Sequence, residues 1–584
     1  MILCQDGRMK AAIAADFSAH PIFETAAKEL GVYLSKITGD KPEIIDAAGK
    51  TANCEIVLAW ANRKLRADMP DCDGLKNDGF RIVVLKERVF LIAENSRGIL
   101  FAVYRFLEEF LGCGFYSSKV EKIPARSDID IPEADKTIIS PFEFRENWWF
   151  EYEYDPAFAK KRGMNSSNTS DLETGGFEAL KYNGFAHTMF DYVSPEEYYD
   201  EHPEYFSLVD GKRMDHGQLC LTNPEVKVLF KQRLRQRILE NPDKKIVSIT
   251  QMDGRNYCTC PECSRIDEEE GSHAGTLLRF VNECALSIKD EFPDILIDTF
   301  AYVYTRKAPK ITKPVENVCV RLCTIESCFK HSFKDCGIAL NNRPNEVSER
   351  IVKDFDDWAK ICNRIFVWDY STIFKYYIAP YPNFQVLKEN IQFLIDHHAT
   401  GLFNQGNAES ISGEFGELRG YIISRLMWEP DLDVDAAMDE FLQGYYGNAA
   451  ANVRKFLDLL QEKVLASEGH FGLDTKPEKY IPEDFNDWAD PIWDEAEKNA
   501  ENAEVLQRVR KSRLCVRFMR IRKMRFDDPN RDKMLTDFKV DCMYHGLRAL
   551  RETAYLRNAP ERYVEAWRAV PKEDYDKFDS YHGE

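Results

Sequence analysis

Three acidic residues of this 584-residue chain stand at the ends of short apolar runs. Asp253 closes IVSITQMDG just before Gly254, Glu326 follows VCVRLCTI, and Asp369 follows RIFVW. A charged group leaving a buried strand is costly unless it has a partner or a task. Cleavage of a glycosidic bond needs such a set, because one carboxylic acid must protonate the leaving oxygen while another group stabilises the oxocarbenium-like centre. Each acid alone reads equally well as a surface or helix-capping residue. Three on one face weigh against that reading. Glu326 lies among Cys323, Ile325 and Phe329 and is expected to be desolvated and protonated, whereas Asp253 lies among Thr250, Gln251 and Gly254, a setting that suits the ionised form.

Aromatic residues crowd the same places: Trp148, Trp149 and Phe150, then Tyr302 and Tyr304, then Trp368, Tyr370, Tyr376 and Tyr377. Rings beside hydrogen-bonding groups suit a sugar, although core packing explains many of them. Arg145, beside Glu146, can hold vicinal hydroxyls or a carboxylate with two parallel bonds, or form a structural ion pair. Asn165, His187, Asn404 and Gln405 complete the polar set. A second constellation is Cys258-Thr-Cys260-Pro-Glu-Cys263, directly after Asp253, with Cys323 and Cys328 flanking Glu326 and His331 nearby. Three thiols within six residues resemble a metal knuckle that lacks its fourth ligand locally. A structural zinc site competes here with buried thiols and with a disulfide. Catalytic metal is disfavoured, since paired histidines at strand ends and a His-Glu-x-x-His helix are missing.

The elements that must position these groups follow from apolar periodicity. Residues 1–135 read as a small α/β domain. It has a helix over Leu30, Tyr33, Leu34 and Ile37 stopped by Gly39, strands at Glu55 to Ala59, Phe80 to Leu85 and Val89 to Ala93, and a second helix closed by Gly112. Pro124 to Pro141 reads as a linker. From residue 136 to 430, eight short β-type runs alternate with helical stretches: Phe142 to Trp148, Gly163 to Asn165, Gly184 to Met189 (or Leu219 to Thr222), Ile246 to Met252, Ile295 to Val303, Val318 to Ile325, Ile365 to Tyr370 and Gly401 to Gln405. The expected fold is therefore α/β, a (β/α)8 TIM barrel with its functional residues at the C-terminal strand ends. Residues 431–584 read as a helical C-terminal domain.

Composition excludes other classes. Lys+Arg 78 against Asp+Glu 98 gives a net charge of −20, which repels nucleic acid and anionic lipid. No apolar run is long enough to span a membrane. The first residues show no secretory leader, so the expectation is a cytoplasmic chain, or a periplasmic or secreted one if a leader was removed. The 16 cysteines are concentrated between Cys220 and Cys362 and are expected to be mostly reduced and buried. Phosphate-binding glycine loops and a Gly-x-Ser-x-Gly elbow are missing.

Several motifs occur in order: SITQMDGRNYCTCPECSRID, LLRFVNECA, CTIESCFKHS, VWDYSTIFKYYIAPYPNF, GLFNQGNAES and GEFGELRGYIISRLMWEPDLDVDAAMDEFLQGYYGNAA. Together they resemble the bacterial domain of unknown function 4838, members of which founded glycoside hydrolase family 163. The stretch GFRIVVLKERVFLIAENSRGILFAVYRFLEEFLGCGFY is similar to the small α/β domain that precedes the barrel in β-hexosaminidases and α-glucuronidases. The resemblance implies an endo-β-N-acetylglucosaminidase that cuts the N-glycan core with retention by substrate assistance. It implies no catalytic cofactor. Carried onto this chain, Glu326 would be the acid/base and Asp253 the residue orienting the acetamido group. Arg145, His187, Tyr302, Trp368, Asp369, Tyr370 and Asn404 would line the subsite. The alternatives are an α-glucuronidase-like enzyme in which Arg145 clamps a carboxylate, and a carbohydrate-binding protein that has lost catalysis.

Overall fold

The computed structural model describes residues 1–169, 175–336, 340, 350–411, 414–525 and 527–552. The N-terminal unit is a six-stranded sheet in the order Ala134–Ile138, Phe80–Val84, Arg88–Ala93, Glu55–Trp60, Ala12–Ala15, Ile44–Asp46. Alternation along each strand sorts its two faces. Ile13, Ile56, Leu58, Ile82 and Leu91 face the helices Ile22–Thr38 and Ser96–Glu109, while Ala14, Val57, Val83, Phe90 and Ile92 form a second apolar layer on the other side. The first helix ends where expected, at Gly39 with φ 79°. The predicted linker is partly sheet: Ala134–Ile138 pairs antiparallel with Phe80–Val84 as an edge strand.

The central sheet is parallel, curled and seven-stranded. Its order is Phe144–Trp148, Ala399–Gln405, Ile365–Tyr370, Val318–Cys323, Leu296–Ala301, Ile246–Ser248, Tyr182–Asn183. Rings, aliphatic groups and one thiol, one from each of the seven strands, fill the concave side: Phe144, Tyr182, Ile246, Leu296, Cys319, Phe366 and Phe403. Among the described residues, the expected eight-stranded barrel is thus corrected to a seven-stranded curl. The predicted strand Gly163 to Asn165 makes no ladder of its own. It lies between the two edge strands, where Asn165 N–H donates to Arg145 O (3.2 Å) and Leu180 N–H donates to Asn165 O (2.7 Å). Gly163 has φ +75°, and a side chain there would collide with the Trp428 indole. The third strand ends at Asn183, before its predicted start, because Gly184 (φ 71°) and His187 (φ 55°) leave extended geometry.

Helices Val434–Tyr446, Ala450–Ala466, Phe485–Asn499, Ala503–Lys523 and Arg531–Tyr544 form the C-terminal region. Trp428 packs edge-on against Phe101 of the N-terminal unit, which adds an apolar contact to the junction between the sheets. Among the described residues, no helix is long and apolar enough to cross a membrane.

Candidate active site

Period-two geometry decides which residues face the concave lumen. On the first strand Phe144, Glu146 and Trp148 face in. On Leu296–Ala301 and its continuation these are Asp298, Phe300 and Tyr302. On Ile365–Tyr370 they are Phe366, Trp368 and Tyr370. Deep in the lumen Arg321 is paired with Asp298 through Nε (3.2 Å) and Nη2, and its guanidinium stacks against Phe185 (4.2 Å) and Phe300 (4.9 Å). Burial pushes the Asp298 carboxyl up to about 6 even against Arg321.

Glu146 is the acid most suited to proton donation. Register pairs it with Phe403, and Trp148 with Gln405, so the carboxyl sits one layer below the C-terminal rim. It is 8% exposed. Burial, then the neighbouring Glu153, push it up to about 8 despite the opposing charge of Arg321. Glu153, on the short helix Phe150–Tyr154, accepts the Trp148 indole N–H at 2.8 Å and is itself raised by burial. A carboxyl held protonated at neutral pH beside a second acid is the requirement of general acid catalysis.

At the rim Tyr302 donates its hydroxyl to Asp253 Oδ1 at 3.1 Å. Asp253 is exposed. His187 Nδ1 lies 2.8 Å from Gln251 O; a carbonyl only accepts, so Nδ1 carries the proton of that bond. Its ring packs against Phe300 (5.6 Å) and Tyr302 (6.0 Å). Trp368 donates Nε1–H to Gln405 Oε1 (2.8 Å) and stacks on Tyr370. Rings, a histidine, two tyrosines and acids at two depths therefore line one concave surface.

The domain of unknown function 4838 matches residues 115–458, more than half of the chain. The chain belongs to that family. The glycosyl hydrolase family 67 N-terminus matches residues 6–106. No curated protein matches the chain in sequence. Among solved structures it is similar to a family GH115 4-O-methyl-alpha-glucuronidase, BtGH115A, with specificity for decorated arabinogalactans. The identity is 11% and the TM-score 0.57, over 93% of this chain and 77% of that one. A GH138 enzyme targeting pectin rhamnogalacturonan II is 10% identical with a TM-score of 0.42, over 92% of this chain and 70% of its own. The family 4838 domain of this chain thus follows a segment that matches the family 67 N-terminus, and the chain shares its fold with BtGH115A.

Several residues of the family 4838 domain that the sequence assigns to the subsite stand elsewhere. Arg145 faces away from the lumen and is fully buried. It donates to Gly163 O (3.0 Å), Phe142 O (2.5 Å), Asn77 O (3.2 Å) and Asp78 Oδ2 (2.6 Å), so it clamps the domain junction instead of a sugar. Asp369 and Asn404 are register partners on the outer side of the sheet. Asp369 accepts from Thr324 (2.7 Å) and from Asn404 Nδ2 (3.2 Å), and Asn404 accepts from Ser371 (2.5 Å), which closes a buried network. Glu326 is not a lone acid in an apolar pocket, because Arg306 pairs with its carboxylate and also with Asp354 (2.6 Å). Tyr302, Trp368, Tyr370, His187 and Asp253 do come together at the lumen and its rim.

No local signal in the sequence marks Glu552. Its backbone N–H donates to Phe374 O (2.9 Å), which brings it to the mouth. The residue is exposed overall, yet desolvation of the carboxyl and the nearby Glu409, Asp474 and Asp253 charges push it up to about 7. Nor does the sequence mark the partner of the cysteine knuckle. Cys220, 38 positions before Cys258, completes a buried set in which all four sulfurs lie within 4.8 Å of one another, with Cys220 and Cys260 3.7 Å apart. Leu208 N–H points at Cys258 Sγ (3.3 Å), and Arg213 approaches the same sulfur (3.9 Å). A tetrahedron of zinc–sulfur bonds of about 2.3 Å has edges of about 3.8 Å, so the four thiols fit such an ion.

Proposed function

We propose that the chain is a glycoside hydrolase in which Glu146 is the proton donor. The observation that carries this reading is a buried lumen carboxyl, pushed up to about 8 by burial, beside Glu153 under a rim of Trp148, Trp368 and Tyr370. The family 67 N-terminal domain and the glycosidase fold support it. Glu146 would protonate the glycosidic oxygen, and Asp253, steadied by Tyr302, would orient an acetamido N–H whose oxygen attacks the anomeric carbon. The motif resemblance favours an endo-β-N-acetylglucosaminide of the N-glycan core. In this reading Cys220, Cys258, Cys260 and Cys263 hold a structural zinc that fixes the loop following Asp253.

A second reading, an acidic sugar as substrate, is favoured by one observation: among the described residues, buried Arg321 Nη1 has no hydrogen-bond partner. A uronate reaching it would have to enter among Phe185, Phe300 and Trp368. Hydrolysis of N-glycoprotein, aryl β-N-acetylglucosaminide and aryl α-glucuronide separates the readings. Turnover of the first two and none of the third supports the acetamido assignment; turnover of the glucuronide alone replaces it. No turnover of any substrate, with retained sugar binding, rejects the enzyme.

A further inference from the structure

Cys328, His331, Cys336 and His470 converge on one point, with all four ligand atoms within 4.8 Å of one another. Three come from one loop at the spacing Cys-x2-His-x4-Cys, two residues beyond Glu326, and the fourth lies 134 positions after Cys336. The closest edges are Cys328 Sγ to His331 Nδ1 3.5 Å, Cys328 Sγ to His470 Nδ1 3.3 Å, and Cys336 Sγ to His470 Nδ1 3.5 Å. Zinc bonds of about 2.3 Å to sulfur and about 2.0 Å to nitrogen give a tetrahedral sulfur–nitrogen edge of about 3.5 Å. The two imidazoles stand nearly perpendicular, 75° apart, as two ligands at separate corners of a tetrahedron can.

The surrounding bonds hold the two segments in this register. Phe329 N–H donates to Phe471 O (2.9 Å), and Lys330 Nζ donates to Ser467 O (2.5 Å) and Gly469 O (3.3 Å), while Phe333 N–H ties the loop to Asn390 Oδ1 on the helix Phe384–Asp396 (2.8 Å). Borderline-soft sulfur and imidazole ligands in a Cys2His2 set select zinc among common divalent ions.

We propose that this tetrad is a second structural zinc site, separate from the Cys220 cluster. With four protein ligands its coordination is closed, so the ion does no chemistry on substrate. It staples the loop carrying Glu326 to the segment carrying Asp474, one of the acids around Glu552. Cys328 is buried, but His331 and Cys336 are half-buried and His470 is exposed, whereas all four ligands of the other cluster are buried. Chelators therefore strip the Cys2His2 ion first.

The test is metal analysis of the full chain, purified without chelator, beside Cys220→Ser, His331→Ala and His470→Ala. Two zinc equivalents in the wild type and one in each variant are expected. If only the Cys220 cluster fails to bind, the wild type holds one equivalent that Cys220→Ser keeps and His331→Ala loses, so the two failures are distinct. Equal metal in wild type, His331→Ala and His470→Ala overturns the proposal. Should the variants not fold, the wild type decides: zinc added to the apo chain is expected to slow iodoacetamide labelling of Cys328 and Cys336 about tenfold or more. Labelling that ignores zinc identifies plain or activated thiols and overturns it as well.

Discussion

Arg145 and Glu146 are consecutive in the chain and face opposite sides of one strand. Arg145 reaches out to Asp78 of the N-terminal unit, and Glu146 reaches into the lumen. One peptide bond therefore separates the charge that holds the two sheets together from the acid proposed to do the chemistry.

The Arg145–Asp78 pair is expected to govern stability and leave substrate affinity alone. Burial opposes ionisation of Asp78, but Arg145 and Arg97, with a hydrogen bond from Asn165, outweigh it and hold the carboxyl at about 2. Removing one partner of a buried pair costs about 3–5 kcal/mol. Arg145→Met falls at the low end because Arg97 and Asn165 remain, and Asp78→Ala costs more because it strands two guanidiniums. The folded pKa lies below the unfolded value of about 3.9, so this stability is present above that pH and is lost as pH falls through about 2. Urea melts between pH 2 and 7 check both the size and the slope. A raised KM with unchanged melting would return Arg145 to the substrate.

Glu146→Gln is expected to lower turnover by about 10² or more on substrates with poor leaving groups, and much less on activated aryl glycosides. Glu326→Gln should show no such dependence on leaving group, since Arg306 already binds that carboxylate. With the folded pKa raised to about 8, the acid form and the rate fall as pH rises through that value. The stability contribution follows the same sign. It is complete below the unfolded value of about 4.3 and declines up to about 8, a slope that Glu146→Gln removes. Rates on two leaving groups across pH 5 to 9 settle the assignment.

The parallel strands are legible in the sequence because both of their faces are buried, which leaves near-continuous apolar runs such as RIFVW and VCVRLC. That continuity hides the alternation. Arg145 reads as lumen-facing as readily as Glu146, and Asn404 as readily as Gln405. Long-range partners are equally hidden. Arg306 lies 20 positions before Glu326, and nothing local shows that it neutralises that acid. Cys220 is visible as the first of the clustered cysteines, but only the fold brings it to Cys258. The irregular segment at Gly163 cannot be told from a strand, because three residues carry too little periodicity.

Cys220→Ser is expected to remove one zinc equivalent and to destabilise the loop from Asp253 to Cys263. A closed tetrahedral site contributes directly to folding, so the melting temperature should fall by several degrees, and the zinc-loaded wild type should resist proteolysis within residues 254–263. Metal content below about a tenth of an equivalent in the wild type would reject both zinc sites.

Tyr302 and Asp253 are expected to act as one unit. The Tyr302 hydroxyl supplies a single hydrogen bond to an exposed carboxylate at 3.1 Å, a contact worth about 1 kcal/mol where water competes. Tyr302→Phe should therefore lower kcat/KM on acetamido substrates by about fivefold. Asp253→Asn removes the orienting charge and should cost about 10². If the tyrosine works only through the aspartate, the double substitution loses no more than Asp253→Asn alone, because the interaction that Tyr302 supplied no longer has its acceptor. Multiplicative losses would instead mean that Tyr302 touches the sugar independently, as its packing against His187 and Phe300 at the same rim allows. A substrate lacking the acetamido group separates the cases further, since both single substitutions should then have nearly equal and small effects.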